Sequence, residues 1–297
     1  MKNRQIFSFI LLLWLLILPF ISIALAAEKP DYVGINENDV IIWDTQFDQG
    51  PYENYLEDLY DWSDEVIEAY LDANPICDGE TDEKVIAWKY VIIEIKDEKE
   101  EDLNDDPFFQ NLEDDEYKVV PYLYNFYTMK ENRDDWKKAD LNEKGEIYKY
   151  DRDLYARFIE IFGPSRGLFT PFISKGVNWD RVTREADEYF GHRYEDAGAS
   201  IPKETVFFFF EQDANGVKTY IDLAEEPGIN DDVGDFGSIS IYTSDGILKH
   251  YEWTYDGDPI YMLDLRENFF VANWWIIAIV AAVAVVIIIV VVIIKKR

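Results

Sequence analysis

The apolar positions along this chain fall into three regimes. Two unbroken hydrophobic runs lie at the ends, and alternating or helically spaced patterns fill everything between them. The first strand is read from DVIIWDTQF at 39–47. Next, PYENYLEDLYDWSDEVIEAYLDANP places Tyr52, Tyr55, Leu56, Leu59, Val66, Ile67 and Tyr70 on one stripe at helical spacing, broken by Ser63 and stopped by Asn74-Pro75. KVIAWKYVIIEIK at 84–96 is apolar on both faces and predicts a covered central strand. Residues 97–116 read as an acidic loop around Pro107-Phe108-Phe109, and 117–129 as a strand in which Pro121 suggests an edge or a bulge. A second helix is predicted from Asp151 to Phe162, ended by Gly163-Pro164. A third is capped by Asn178, with Val182, Ala186, Tyr189 and Phe190 on its inner side.

From Thr205 the period changes to two. TVFFFFEQ and VKTYIDL flank Asp213-Ala-Asn-Gly, SISIYT and ILKHYEWTY flank Ser244-Asp-Gly, and PIYMLDL follows Asp256-Gly-Asp258. Short turn-forming links between alternating runs predict five strands in an antiparallel meander. With the earlier strands this makes eight or nine, against three helices. The predicted fold class is α+β: one large curved antiparallel sheet with about three packed helices, in a single domain.

The ends have a different chemistry. Trp274 to Ile294 is 21 residues without a charge, about 31 Å as a helix and so one bilayer core. Two tryptophans stand at one edge, and the basic tail 295–297 stands at the other, the cytoplasmic side by the positive-inside rule. Residues 1–26 read as a signal peptide or a retained anchor: Lys2 and Arg4, an apolar run, then Ala24-Leu25-Ala26. Either way both ends point into the cytoplasm and 27–273 is exported, as in a single-pass type I protein of the cell membrane. Arg266-Glu-Asn-Phe-Phe-Val lacks the small residues and polar spacer of a lipid-anchor signal.

Charge narrows the partners. Segment 27–273 holds all 60 acidic residues and 23 basic ones, a formal balance of −37. Such a surface repels nucleic acid and anionic lipid headgroups and attracts cations or basic proteins. It also keeps a crowded surface protein soluble, which is the commonplace explanation. Forty-two aromatic residues in the same segment supply ample material for a core. Cys77 alone cannot form an internal disulfide, and no Asn-x-Ser/Thr acceptor occurs.

The most specific local pattern is DLNEKGEIYKYD. Asp140, Asn142, Gly145, Ile147 and Asp151 match the first, third, sixth, eighth and twelfth positions of a calcium-binding loop. Lys144 stands where an oxygen ligand belongs, and Asp151 is shorter than the usual Glu. The same letters read as a surface turn followed by a helix N-cap, so calcium at Asp140, Asn142 and Asp151 is one of two open readings. His192 and His250 lie in no catalytic or metal-binding spacing, and no other cofactor is indicated.

ISIYTSDGILKHYEWTYDGDPIYML, a meander with helices against it, resembles the lipid-binding folds of the LolA/LppX kind over residues 84–265. The resemblance implies an apolar half-barrel for acyl chains, although no lipid-box cysteine follows the signal and the C-terminal anchor departs from those families. The plan of signal, acidic aromatic-rich domain and Val/Ile anchor ending in Lys-Lys-Arg is similar to that of archaeal surface proteins of unknown function, which implies a location and no activity. The expectation is a non-enzymatic binding or assembly module facing a basic or envelope partner. A carrier of lipid or another apolar ligand, lined by 207–210 and 84–96, and an exported hydrolase are the alternatives.

Overall fold

Strand β1 (Val40–Phe47) joins the two halves of a ten-stranded antiparallel sheet. In this computed structural model the described residues are 29–73, 84–103, 109, 112, 116–131, 133–166, 170–196, 208–213, 215–221 and 234–266. The apolar end segments 1–26 and 274–294, the tail 295–297, Cys77 and Phe207 lie outside them. On one side β1 pairs with β2 (Val85–Ile95), Trp43 opposite Trp88. On the other it pairs with β10 (Asp258–Leu265), Trp43 opposite Leu265. β3 (Lys99–Asp102) continues the line of β2 along β4 (Glu116–Lys130), whose opposite edge pairs with β5 (Lys137–Tyr148). Beyond β10 come β9 (Leu248–Tyr255), β8 (Phe236–Tyr242), β7 (Gly216–Ile221) and β6 (Phe208–Asp213). The five-strand meander expected from the alternating C-terminal runs is present. The acidic loop and the calcium-like segment each contain a further strand, β3 and β5.

Local chemistry sets these connections. The β9–β10 link has two residues, Asp256 and Gly257, with φ of 50° and 82°. Positive φ at both positions gives the turn whose twist matches the flanking strands. Pro121 sits in the middle of β4 rather than at an edge. It lies where β4 exchanges β3 for β2 as its neighbour, between the Val119–Lys99 and Tyr122–Ile95 pairs, and its carbonyl accepts from Lys96 N at 2.8 Å. A residue without N–H costs no ladder bond at that gap.

The long helix expected at 51–74 is two helices. α1 (Gln49–Tyr60) starts at Asp48, whose carboxylate accepts from Gly50 N, and ends at Asp61, which takes a left-handed φ of 52° and donates its N–H to Glu57 O. α2 (Asp64–Ala73) restarts from Ser63, whose carbonyl accepts from Val66 N and Ile67 N. α3 (Arg152–Arg166) runs through Gly163-Pro164 instead of stopping there. A proline in the last turn removes one donor, after the buried Leu154, Tyr155 and Ile159 have already fixed the helix. α4 (Trp179–Asp196) starts at Asn178, whose Oδ1 accepts from Arg181 N at 3.2 Å.

The largest core cluster joins both halves of the sheet to α3 and α4. Phe172, between those helices, meets Trp43, Tyr90 and Tyr122 at ring distances of 5.9, 6.0 and 5.4 Å. Tyr155 of α3 donates to Tyr148 O and accepts from Ser174 N. A second cluster, Phe236, Tyr255 and Ile260, lies under Tyr52 and Tyr55 of α1. A third, Leu56, Ile67 and Leu71, holds α2 to α1.

Candidate functional site

The calcium-like segment is not a loop. Residues 137–148 form β5, whose register against β4 shifts between the Lys138–Tyr127 and Asn142–Asn125 pairs. Gly145, Ile147 and Asp151 have roles in the fold. Gly145 lies opposite Tyr122, and a Cβ there would fall 2.1 Å from the Tyr122 ring, so the glycine makes room for that ring rather than for a tight turn. Ile147 is buried opposite Val120. Asn142 pairs with Asn125 in the ladder. Asp151 Oδ1 accepts from Asp153 N at 3.0 Å and Leu154 N at 2.9 Å, capping α3.

His250 of β9 lies on the sheet face opposite the core, its Nδ1 2.8 Å from Asp264 Oδ1 and its Nε2 3.7 Å from Glu252 Oε2. The imidazole is thus held by two carboxylates. Of the apolar carrier residues, Phe207 lies outside the described residues, and Phe208–Phe210 occupy β6 at one end of the sheet. In β2, Tyr90 and Ile92 are buried on the core face, while on the other face Ala87 is buried and Ile93 exposed, so the face away from the core is covered only along part of its length.

A surface that the sequence pattern hid is formed by α1 and α2. Over a continuous helix Val66 and Tyr70 would share the inner stripe with Ile67. The break at Asp61–Ser63 resets the rotation: Ile67 and Leu71 go inward onto Leu56, while Val66 and Tyr70 are left 47% and 36% exposed. With Tyr60, 50% exposed, they are three of the five exposed large hydrophobic side chains among the described residues. Trp62 packs between two tyrosines, 5.2 Å from Tyr60 at an interplanar angle of 30° and 5.2 Å from Tyr70 at 62°. Single exposed apolar residues need no explanation, whereas a grouped aromatic set does. The signal available in the sequence was Ser63 followed by Asp64 and Glu65, a helix start in the middle of a supposed helix.

The same surface is electrostatically one-sided. Residues 30–83 contain no Lys, Arg or His. Glu57, Asp58, Asp61, Asp64, Glu65 and Glu68 are exposed, and among the described residues none of them has a basic partner. Elsewhere several carboxylates are matched: Glu94 with Lys96, Glu146 with Lys99, Glu98 with Lys118, Glu185 with Arg152 and Asp245 with Lys175. Glu57 and Asp58 also stand in the last turn of α1, where the helix dipole is negative and a cation is preferred. Asp64 and Glu68 are a like-charged i,i+4 pair, which costs about 0.2–0.5 kcal/mol.

Behind this surface, Tyr255 O–H donates to Asp58 Oδ2 at 2.7 Å and accepts from Gly234 N at 2.8 Å. Burial and the neighbouring carboxylate hold its phenol well above the ordinary tyrosine range. Tyr55 connects the outer rings to the sheet, edge-on to Trp253, Phe236 and Tyr255. Trp253 Nε1 is buried with no hydrogen-bond partner among the described residues. Trp88, Phe126 and Tyr261 continue the partly buried aromatic series on the core face.

No protein-family model matches this chain, and neither a curated protein nor a solved structure matches it.

Proposed function

We propose that this chain is a single-pass surface protein, exported by 1–26, anchored by 274–294 with 295–297 in the cytoplasm, and that its acidic α+β domain is a non-enzymatic module that binds a cationic partner. The observation that supports this reading most directly is the contrast in charge matching. Seven lysines and arginines elsewhere among the described residues sit beside carboxylates, while α1 and α2 carry six exposed acids within 54 positions of sequence that hold no basic residue. A solvated face needs no such segregation, and Glu57 and Asp58 in the last turn of α1 oppose its dipole, whereas Asp64 and Glu65 in the first turn of α2 lie with theirs. Local rules broken at a stability cost mark places shaped by something other than folding. Calcium is not required by this reading, and nucleic acid and anionic lipid headgroups are repelled by the balance of −37.

The test is capture of short charged peptides by the full-length chain in detergent micelles. A deca-lysine probe binds at about 0.05 M salt and loses most of its affinity at about 0.5 M, where the Debye length shrinks severalfold; deca-glutamate does not bind. Failure of every basic probe at low salt removes the reading. A second reading, a carrier of an apolar ligand in the manner of the lipid-binding folds, draws on one observation, the unpartnered Trp253 Nε1 within the aromatic core face. A co-purified lipid mass in a native mass spectrum would favour it over the first.

A further inference from the structure

The carboxylates alone would attract any cation. The rings beside them are more selective. Tyr60, Trp62 and Tyr70 form a contiguous series whose outer members are exposed, and Trp62 is tilted 30° from Tyr60. Asp61, Asp64 and Glu65 come from the same short stretch, one position before and two and three positions after Trp62 in sequence. Lysine offers such a surface a compact, strongly hydrated charge. Arginine offers a flat, weakly hydrated guanidinium that stacks on an aromatic face while its edge donates two hydrogen bonds to a carboxylate. A surface with rings and carboxylates side by side therefore discriminates between the two cations, whereas a merely acidic one does not.

Resting on the cationic-partner reading above, we propose that the outer face of α1–α2 docks an arginine-rich polypeptide segment, with guanidinium groups stacked on the Tyr60–Trp62–Tyr70 series and paired with Asp61, Asp64 and Glu65. A second copy of this chain does not meet the description, because it brings the same excess of acid. Val66, exposed one turn before Tyr70 on α2, supplies the apolar contact that the methylene stems of such side chains would cover.

The experiment compares deca-arginine with deca-lysine on the full-length chain in detergent micelles, at equal charge and equal salt. Deca-arginine is expected to bind roughly three- to tenfold more tightly, the factor that one or two exposed cation–aromatic contacts contribute. Tyr70→Ala removes a ring on the solvent side of α2 and should abolish most of that preference while leaving deca-lysine binding within about twofold. Glu65→Lys should weaken both peptides together, and Glu100→Lys, an equal charge reversal on distant β3, should weaken them much less. Trp62→Ala repeats the ring test at the centre of the series, with circular dichroism of each variant as the check on folding. Equal affinity for the two peptides, or a preference that survives Tyr70→Ala and Trp62→Ala in folded protein, overturns the aromatic site while leaving the cationic-partner reading in place. Loss of binding by both peptides to the unmodified chain overturns both.

Discussion

Gly145 and Asp151 each have a structural role within the calcium-like pattern. The glycine sits opposite Tyr122 in the β4–β5 ladder, and the ring occupies the space where a Cβ would stand, 2.1 Å away. Tyr122 is almost wholly buried and cannot swing aside without disturbing Phe172 and Tyr124. Gly145→Ala is therefore expected to lower stability by about 1–3 kcal/mol through overpacking, read as a lower urea midpoint with an unchanged slope. Asp151 stabilises α3 by accepting two backbone N–H groups. Asp151→Ala should cost about 1 kcal/mol and Asp151→Asn much less, since Asn caps nearly as well. A calcium ligand would show the reverse sensitivity to Asn, because the lost charge weakens the site. Urea titrations of the two variants, with and without added calcium, separate the roles: equal midpoints with and without calcium for Asp151→Asn are the expected result.

At the scale of elements, the clearest contrast lies between two neighbours in α2. Ile67 is buried against Leu56, and Val66 is half exposed. Ile67→Ala should cost about 2–5 kcal/mol as a core truncation, while Val66→Ser should stay within about 0.5 kcal/mol as a surface change. Paired thermal melts check this, and equal losses at the two positions would mean one continuous helix without the break at Asp61. The same element explains what was legible. Strands β6–β10 could be read because alternating side chains and turn residues act over a few positions. Asp256-Gly257 encodes its own geometry in two letters. The break in α1–α2 rests on one Asp in a left-handed conformation, which residue type alone only weakly favours. β5 was illegible for a different reason. Opposite Tyr122 and Tyr124 it presents Gly145 and Glu143, and its cover comes from the neighbouring strand: the Tyr122 ring over Gly145 and the Tyr124 hydroxyl donating to Glu143 at 2.6 Å. A strand whose apolar surface is supplied by its partner has no hydrophobic period of its own. The acidic-aromatic surface was hidden in the same way, because Val66 and Tyr70 fit an inward stripe until the helix is broken.

Across the whole molecule, stability rests on a core unusually rich in tyrosine, and this fixes its response to alkali. Tyr90, Tyr122, Tyr155 and Tyr242 are all buried among the residues that join the two halves of the sheet. Burial pushes the Tyr90 phenol up to about 12 and the Tyr122, Tyr155 and Tyr242 phenols higher still, because a phenolate would lose its hydration there. In the unfolded chain each ionises near its ordinary value of about 10. Below that pH both states hold the proton and stability is unaffected. Above it the unfolded state releases protons that the folded state keeps, so the unfolded state binds fewer and stability falls as pH rises. Each such tyrosine contributes a loss of up to about 1.4 kcal/mol per pH unit between its two values. Four acting together can exhaust a net stability of about 5–15 kcal/mol within one to three units. Because Trp43 of β1 contacts Tyr90, bonds through Nε1 to Leu248 O at 2.7 Å and sits opposite Leu265 of the last strand, ionisation in this cluster should release both halves of the sheet together. The expected outcome is a single steep unfolding step between about pH 10 and pH 12, with tyrosinate absorbance reaching its full value for the 20 tyrosines only as the β-sheet signal is lost. Full tyrosinate absorbance with the sheet still in place would mean that these phenols titrate in the folded protein and that the core admits water.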